Sequence, residues 1–182
     1  MIWWIISIVI VVFVFISYFN KFVTLKNRIE NSLAQINVQL KKRADLVPNL
    51  LESVKGYMKH EKSIILEVTK ARKEMMAAGK DINKKVEANN KMESALKSIF
   101  ALAENYPNLK ANENFLQLQE EMSSIEDKVA YSRQYYNDNI MSFNTLTQKI
   151  PGMWFAKMYG FAGKKYLEIK ESEKVVPKIK FD

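Results

Sequence analysis

Cysteine is absent from this 182-residue chain, which excludes disulfides, a thiolate nucleophile and thiolate metal ligands. Histidine occurs once, at His60. A zinc site needs three or four nitrogen, sulfur or carboxylate ligands. His60 followed by Glu61, with no second histidine a turn further on, does not supply them, and His60 reads as a surface or turn residue. One histidine supports no Ser-His-Asp arrangement, no Glu-x-x-His pair marks a di-iron bundle, and no glycine-rich loop is present to cradle phosphate. The residues therefore nominate no catalytic, cofactor-binding or metal-ligating position. Glycine (5) and proline (4) are scarce, which favours long helices joined by short connections. Basic residues are plentiful, and the formal net charge is +8.

The length suits one domain plus an anchor. Residues Ile2 to Phe19 form an apolar run interrupted only by Ser7 and Ser17. As a helix rising about 1.5 Å per residue, the run nearly spans a hydrocarbon core of roughly 30 Å. The start, Met-Ile-Trp-Trp, is not basic, and Ser17-Tyr18-Phe19-Asn20 is not a small-x-small cleavage site. The run is therefore expected to be retained as a transmembrane helix rather than removed as a signal peptide. Trp3, Trp4 and Tyr18 stand where interfacial aromatics belong. Lys21, Lys26 and Arg28 follow the run and no basic side chain precedes it. The positive-inside rule then places the N-terminus outside the cell membrane and the domain in the cytoplasm.

Beyond the run, apolar residues recur at steps of three and four. Leu25, Ile29, Leu33, Ile36 and Leu40 form one stripe, and Val47, Leu51, Val54, Met58, Ile65, Val68 and Met75 form the next. No glycine or proline lies between Ile2 and Ala44, so one helix should run from the membrane into the domain. It is expected to end near Arg43, with Asp45 capping a second helix and Pro48 in its first turn. The alternative is that Pro48 lies within one very long helix. A stop at Gly79, a cap at Asp81 and a third stripe through Ile82, Val86, Met92, Leu96, Ile99, Phe100 and Ala103 follow. Tyr106-Pro107-Asn108 breaks that helix. A fourth stripe holds Phe115, Leu118, Met122, Ile125, Val129, Tyr136, Ile140, Phe143 and Ile150, and Pro151-Gly152 ends it. The expected fold is all-α: an N-terminal transmembrane helix continuing into an up-down-up-down four-helix bundle. Its parts are an anchor over 1–20, the bundle over 21–150 and an aromatic and basic segment over 151–182.

The stretch between Gln35 and Glu61 resembles the signature of the LemA family of bacterial membrane proteins. It carries Gln35-Ile36, Val38-Gln39-Leu40-Lys41-Lys42-Arg43, Asp45-Leu46-Val47-Pro48-Asn49-Leu50, Val54-Lys55-Gly56-Tyr57 and His60-Glu61. A second block, Ala103-Glu104-Asn105-Tyr106-Pro107, Leu109-Lys110-Ala111-Asn112, Asn114-Phe115 and Leu118-Gln119, agrees with it, as does Gly160-Phe161. The departure is Leu33, where the pattern has tryptophan; leucine keeps the position apolar. The resemblance implies one N-terminal anchor and a helical-bundle domain. It implies no established activity. It also suggests a neighbourhood of membrane-proteolysis, envelope-stress and membrane-compartment proteins, an association and not a mechanism.

Two clusters invite a chemical reading. Glu120, Glu121, Glu126 and Asp127 could serve acid–base work or bind cations, but Glu126 lies nearly two turns from Glu120 and has Lys128 nearby, so they read as a solvated face. Lys41-Lys42-Arg43, Lys70-Ala71-Arg72-Lys73, Lys84-Lys85 and Lys164-Lys165 are spread over helix ends instead of forming one nucleic-acid face. Those near the membrane suit anionic lipid, and the others read as solvated. The segment Met153-Trp154-Phe155-Ala156-Lys157-Met158-Tyr159-Gly160-Phe161, with Lys164-Lys165-Tyr166 after it, reads either as an interfacial segment or, through Trp154 and Phe155, as an aromatic cap on the bundle core. Taken together, the sequence predicts a non-enzymatic membrane-anchored scaffold or adaptor; the alternatives are an accessory factor that organises the membrane or serves envelope stress and proteolysis, and, behind both, an enzyme with an unrecognised polar site. Its partners would be the bilayer, other membrane proteins and further copies of itself, without nucleic acid.

Overall fold

The computed structural model describes residues 2–57, 61–79 and 81–167. His60, Met58 and the segment after 167 lie outside the described residues. The described residues form six helices and no strand: α1 (Ile2–Lys55), α2 (Lys62–Ala77), α3 (Ile82–Ala103), the single turn α4 (Pro107–Lys110), α5 (Glu113–Gln148) and α6 (Gly152–Tyr159). The chain is thus all-α with a long apolar helix at its N-terminus, as the periodicity predicts.

One boundary differs from expectation. No turn follows Arg43, and Asp45 caps nothing; α1 continues through Pro48 to Lys55, and a turn follows at Gly56 and Tyr57. A proline inside a helix deprives the carbonyl four residues earlier of its donor and ordinarily breaks or kinks the helix. Here that carbonyl belongs to Ala44, and Arg72 Nε donates to it at 2.7 Å. The other boundaries follow their local signals. Asp81 caps α3, its Oδ1 accepting from Asn83 N at 3.0 Å and Lys84 N at 3.2 Å. Pro107 opens α4 at a first-turn position, where its missing N–H costs nothing. Gln148 ends α5 before Pro151. Ile150 therefore leaves the expected stripe and stands exposed, and Leu146 is the last buried residue of the helix.

The chain divides into two compact units. The second unit, Leu33–Ser132, contains the end of α1, all of α2, α3 and α4, and the start of α5. Its core is made of the predicted stripes: Ile36, Leu40, Val47 and Val54 on α1, Val68 and Met75 on α2, Met92, Leu96 and Ile99 on α3, and Phe115, Met122 and Ile125 on α5 are all buried. Leu50, not Leu51, carries the α1 stripe forward. The steps from Ile36 through Leu40, Arg43, Val47, Leu50 and Val54 alternate four and three, the spacing of a coiled-coil seam.

The first unit takes residues up to Ser32 together with those from Arg133 onward. Phe22, Leu25 and Ile29 on α1 pack with Ile140, Phe143 and Leu146 on α5 and with Ala156 on α6. Gly152 opens α6 where a Cβ would lie 2.2 Å from the Leu146 carbonyl oxygen, so no larger residue fits without displacing backbone. Gly160, at φ +71°, ends α6 in the left-handed conformation and lets Phe161 N–H reach back to the Ala156 carbonyl at 2.9 Å. Residues 161–167 are then held against α5 by two asparagines. Asn144 accepts from Lys164 N at 2.8 Å and donates to Lys164 O at 2.9 Å. Asn137 does the same for Leu167, at 2.9 and 3.1 Å.

Val54 and Leu96 are 0% and 1% exposed. Placing an unpartnered carboxylate at either should cost several kcal/mol. Thermal unfolding of full-length Val54→Asp and Leu96→Asp in detergent, followed by circular dichroism, should show a clear fall in melting temperature. An unchanged midpoint would remove these stripes from the core.

Candidate functional site

The second unit buries a guanidinium. Arg43 is 2% exposed and occupies a seam position of α1. Its Nη1 donates to Asn89 Oδ1 at 3.1 Å and its Nη2 to Glu126 Oε2 at 3.1 Å, while Glu93 Oε2 lies 3.9 Å from Nη1. Lys97 closes the circuit, with Nζ 2.9 Å from Glu93 Oε1 and 3.2 Å from Glu126 Oε1. Two cations and two carboxylates thus balance one another across α1, α3 and α5. The hydrogen bond that Lys97 donates to Glu93 holds its ammonium above the usual lysine value, against the opposing effect of desolvation. Because the raised value belongs to the folded state, this stabilisation is complete below the ordinary lysine pKa and is lost as pH rises through the higher one. Charges paired in this way organise helices; they leave no free acid, base or nucleophile in the cluster.

A second polar contact lies close by. Arg72 on α2 reaches the Ala44 carbonyl that Pro48 leaves without a helical donor. Ala44 is fully buried and small, which lets the guanidinium approach α1. A feature that would weaken an isolated helix is thereby used to join α1 to α2. Further bonds tie α3 to both helices: Lys85 Nζ meets Asn37 Oδ1 on α1 at 2.7 Å and Lys91 Nζ meets Glu74 Oε2 on α2 at 3.4 Å. Tyr106 donates to Glu61, and that bond raises the tyrosine pKa above its ordinary value. A surface depression of about 320 Å³ is lined by Val38, Leu40, Met75, Met76 and Gly79, with Asn37, Lys41 and Lys85 beside them.

In the first unit, α6 packs on the end of the apolar run. Phe155 stacks on Tyr18 at 4.7 Å between ring centroids, and Tyr159 meets Phe15 and Phe19 edge-on at 5.2 and 5.3 Å. The Tyr159 hydroxyl donates to the Phe15 carbonyl at 3.0 Å. Trp154 lies on the opposite face of α6 and is 61% exposed. It therefore does not cap the core; Phe155 and Tyr159 fill that place.

The family model of LemA matches residues 32–181. The chain belongs to the LemA family. It is 28% identical over 150 residues to Protein LemA of Metamycoplasma hominis, covering 82% of this chain and 67% of that one. It is 22% identical over 191 residues to Magnetosome protein MamQ of Magnetospirillum gryphiswaldense, covering 91% of this chain and 70% of that one. Magnetosome protein MamQ 2 of Paramagnetospirillum magneticum matches to the same extent. With an N-terminal helix long and apolar enough to cross a membrane, and none of its most apolar stretch buried, this LemA protein is a membrane-associated helical protein. The names of its family and relatives are not those of enzymes.

The LemA signature residues acquire physical roles here. Arg43 is the buried guanidinium, and Pro48 creates the acceptor that Arg72 uses. The acidic and basic clusters divide. Glu120, Glu121 and Asp127 are exposed, as a solvated face requires, but Glu126 turns inward to Arg43. Lys41, Lys42, Lys70, Lys73, Lys164 and Lys165 are exposed, whereas Arg43 and Arg72 are structural. Among the described residues no three acidic or histidine side chains are grouped to hold a metal.

Two measurements test this polar layer. Glu126→Leu strands the buried guanidinium and should cost about 3 kcal/mol, whereas exposed Glu120→Leu should stay within about 0.5 kcal/mol. Equal effects in denaturant titration would show that Arg43 does not depend on Glu126. Arg72→Met should cost about 1–3 kcal/mol when Pro48 is present, because a buried carbonyl is left unsatisfied. With Pro48→Ala as background the helix supplies its own donor, and the same substitution should cost less. A double-mutant cycle with no coupling would dissociate the two residues.

Proposed function

We propose that this chain is a single-pass, membrane-anchored scaffold or adaptor without catalytic activity, presenting helix faces to other membrane proteins and to further copies of itself. The observation that carries this reading is the Arg43 layer. A buried ion network in which two other helices supply acceptors to Arg43 Nη1 and Nη2 makes the second unit a defined helical body, as a presenting surface must be. The depression lined by Val38, Met75 and Met76, with Lys41 and Lys85 at its edge, supplies an apolar centre with a charged margin, the composition of a small protein contact. Val38 and Met76 are half exposed, at 51% and 53%.

A second reading, an accessory factor that organises the membrane, takes its support from the similarity to the magnetosome proteins over 91% of the chain. Both readings place the N-terminus outside and the second unit in the cytoplasm. The support is the position of Lys21, Lys26 and Arg28 just after the apolar run.

Protease added outside intact cells should leave the second unit whole; its digestion would reverse the orientation. Light scattering of the purified full-length protein, beside cross-linking in its own membrane, tests the role. A discrete homo-oligomer or one dominant cross-linked membrane protein supports the scaffold. A monomer without cross-linked partners, or turnover of a substrate, overturns it.

A further inference from the structure

We propose that α6 and the segment clamped behind it form a second membrane contact, seated at the interface of the leaflet where α1 emerges and selective for anionic lipid. The proposal rests on α1 being the membrane span. Its first support is depth. The Phe15 carbonyl that accepts from Tyr159 lies inside the apolar run, four residues before Phe19, or about 6 Å along the helix axis. Phe155 is stacked on Tyr18, also within that run. α6 is therefore fastened to the span itself, and a bilayer that receives the span must meet α6 at its headgroup boundary.

The second support is the face α6 turns outward. Gly152, Phe155, Ala156 and Tyr159 face α1 and α5, and Met153, Trp154, Lys157 and Met158 occupy the other side. Met153, Trp154 and Met158 are 42%, 61% and 54% exposed and lie together, an apolar patch of the kind that marks a contact with a membrane or a protein. Tryptophan and methionine with an adjacent lysine suit the boundary between headgroups and acyl chains. The third support is charge. No acidic residue lies between Pro151 and Tyr166, and Lys157, Lys164 and Lys165 are exposed. The Asn144 clamp holds the Lys164 backbone, and Lys164 Nζ sits 5.7 Å from the Phe143 ring centroid. These cations are carried on fixed backbone beside the membrane surface, where each contributes to attraction for anionic lipid.

The test uses full-length protein in vesicles containing lipid brominated high on the acyl chain. The chain has 3 tryptophans, so a variant with Trp3→Phe and Trp4→Phe reports Trp154 alone. A variant with Trp154→Phe reports insertion of the span. Circular dichroism confirms that each variant remains helical. Loss of Trp154 emission through the brominated lipid, greater in phosphatidylglycerol than in phosphatidylcholine vesicles, is the expected result. Lys157→Gln, Lys164→Gln and Lys165→Gln together should abolish the difference between the two vesicle types. Quenching of Trp3 and Trp4 without quenching of Trp154 would overturn the proposal while leaving the span intact. Quenching of neither would overturn the span and the proposal with it. A Trp154 shielded from both lipid and aqueous quencher would mean that a protein, not the bilayer, covers α6. Equal quenching in the two vesicle types would overturn the anionic selectivity.

Discussion

A guanidinium that is 2% exposed has to be compensated by its neighbours, and this requirement governs the second unit. Arg43 is always charged, so the surrounding helices must bring acceptors to it or the unit cannot close around it. Asn89 and Glu93 come from α3 and Glu126 from α5. Sliding any of these helices by one turn would carry its acceptor out of reach, since a turn is about 5.4 Å. Apolar stripes alone tolerate such slips; a charged residue at a seam position does not. The first unit holds a neutral counterpart, in which Asn139 donates to Ser32 Oγ at 3.0 Å and to its own helix at Tyr135 O.

α1 meets two solvents along one uninterrupted helix. Over its first four turns nearly all the large apolar side chains are exposed, the pattern of a helix long and apolar enough to cross a membrane. From Phe22 onward one face is buried and the other is polar. Pro48 lies in the later part, where tertiary contacts can repair what proline removes. Along most of the apolar run no other helix among the described residues packs on α1, and in a membrane its unbroken i to i−4 ladder is what satisfies the backbone.

The stripes, the apolar run, the cap at Asp81 and the stop before Pro151 were legible in the sequence because each is a local rule with one strong reading. The turn after Arg43 was misread for a definite reason. Basic residues, then Asp45 and Pro48, form the ordinary signal for one helix ending and another beginning, and only the distant Arg72 overrides it. The polar layer had a sequence signal that was passed over. Arg43 and Asn89 both fall on seam positions between buried apolar residues, and Asn89, Glu93 and Lys97 repeat at intervals of four. Glu126 is hidden by its company, since the three acidic residues around it, Glu120, Glu121 and Asp127, all face solvent. The asparagine clamps could not be read, because one partner of each is plain backbone.

Those clamps have a consequence of their own. Asn137 and Asn144 are seven residues apart on a helix, about 10.5 Å. Leu167 and Lys164 are three apart in an extended segment, about 10 Å. The two rulers agree, so both side-chain amides can grip the passing peptide groups at once. What is recognised is the spacing of amide N–H and C=O groups, not the identity of the side chains between them. Between the clamps the segment is thus constrained in length more than in composition: the exposed Lys165 and Tyr166 can each be exchanged for another residue, but none can be gained or lost there without releasing a clamp.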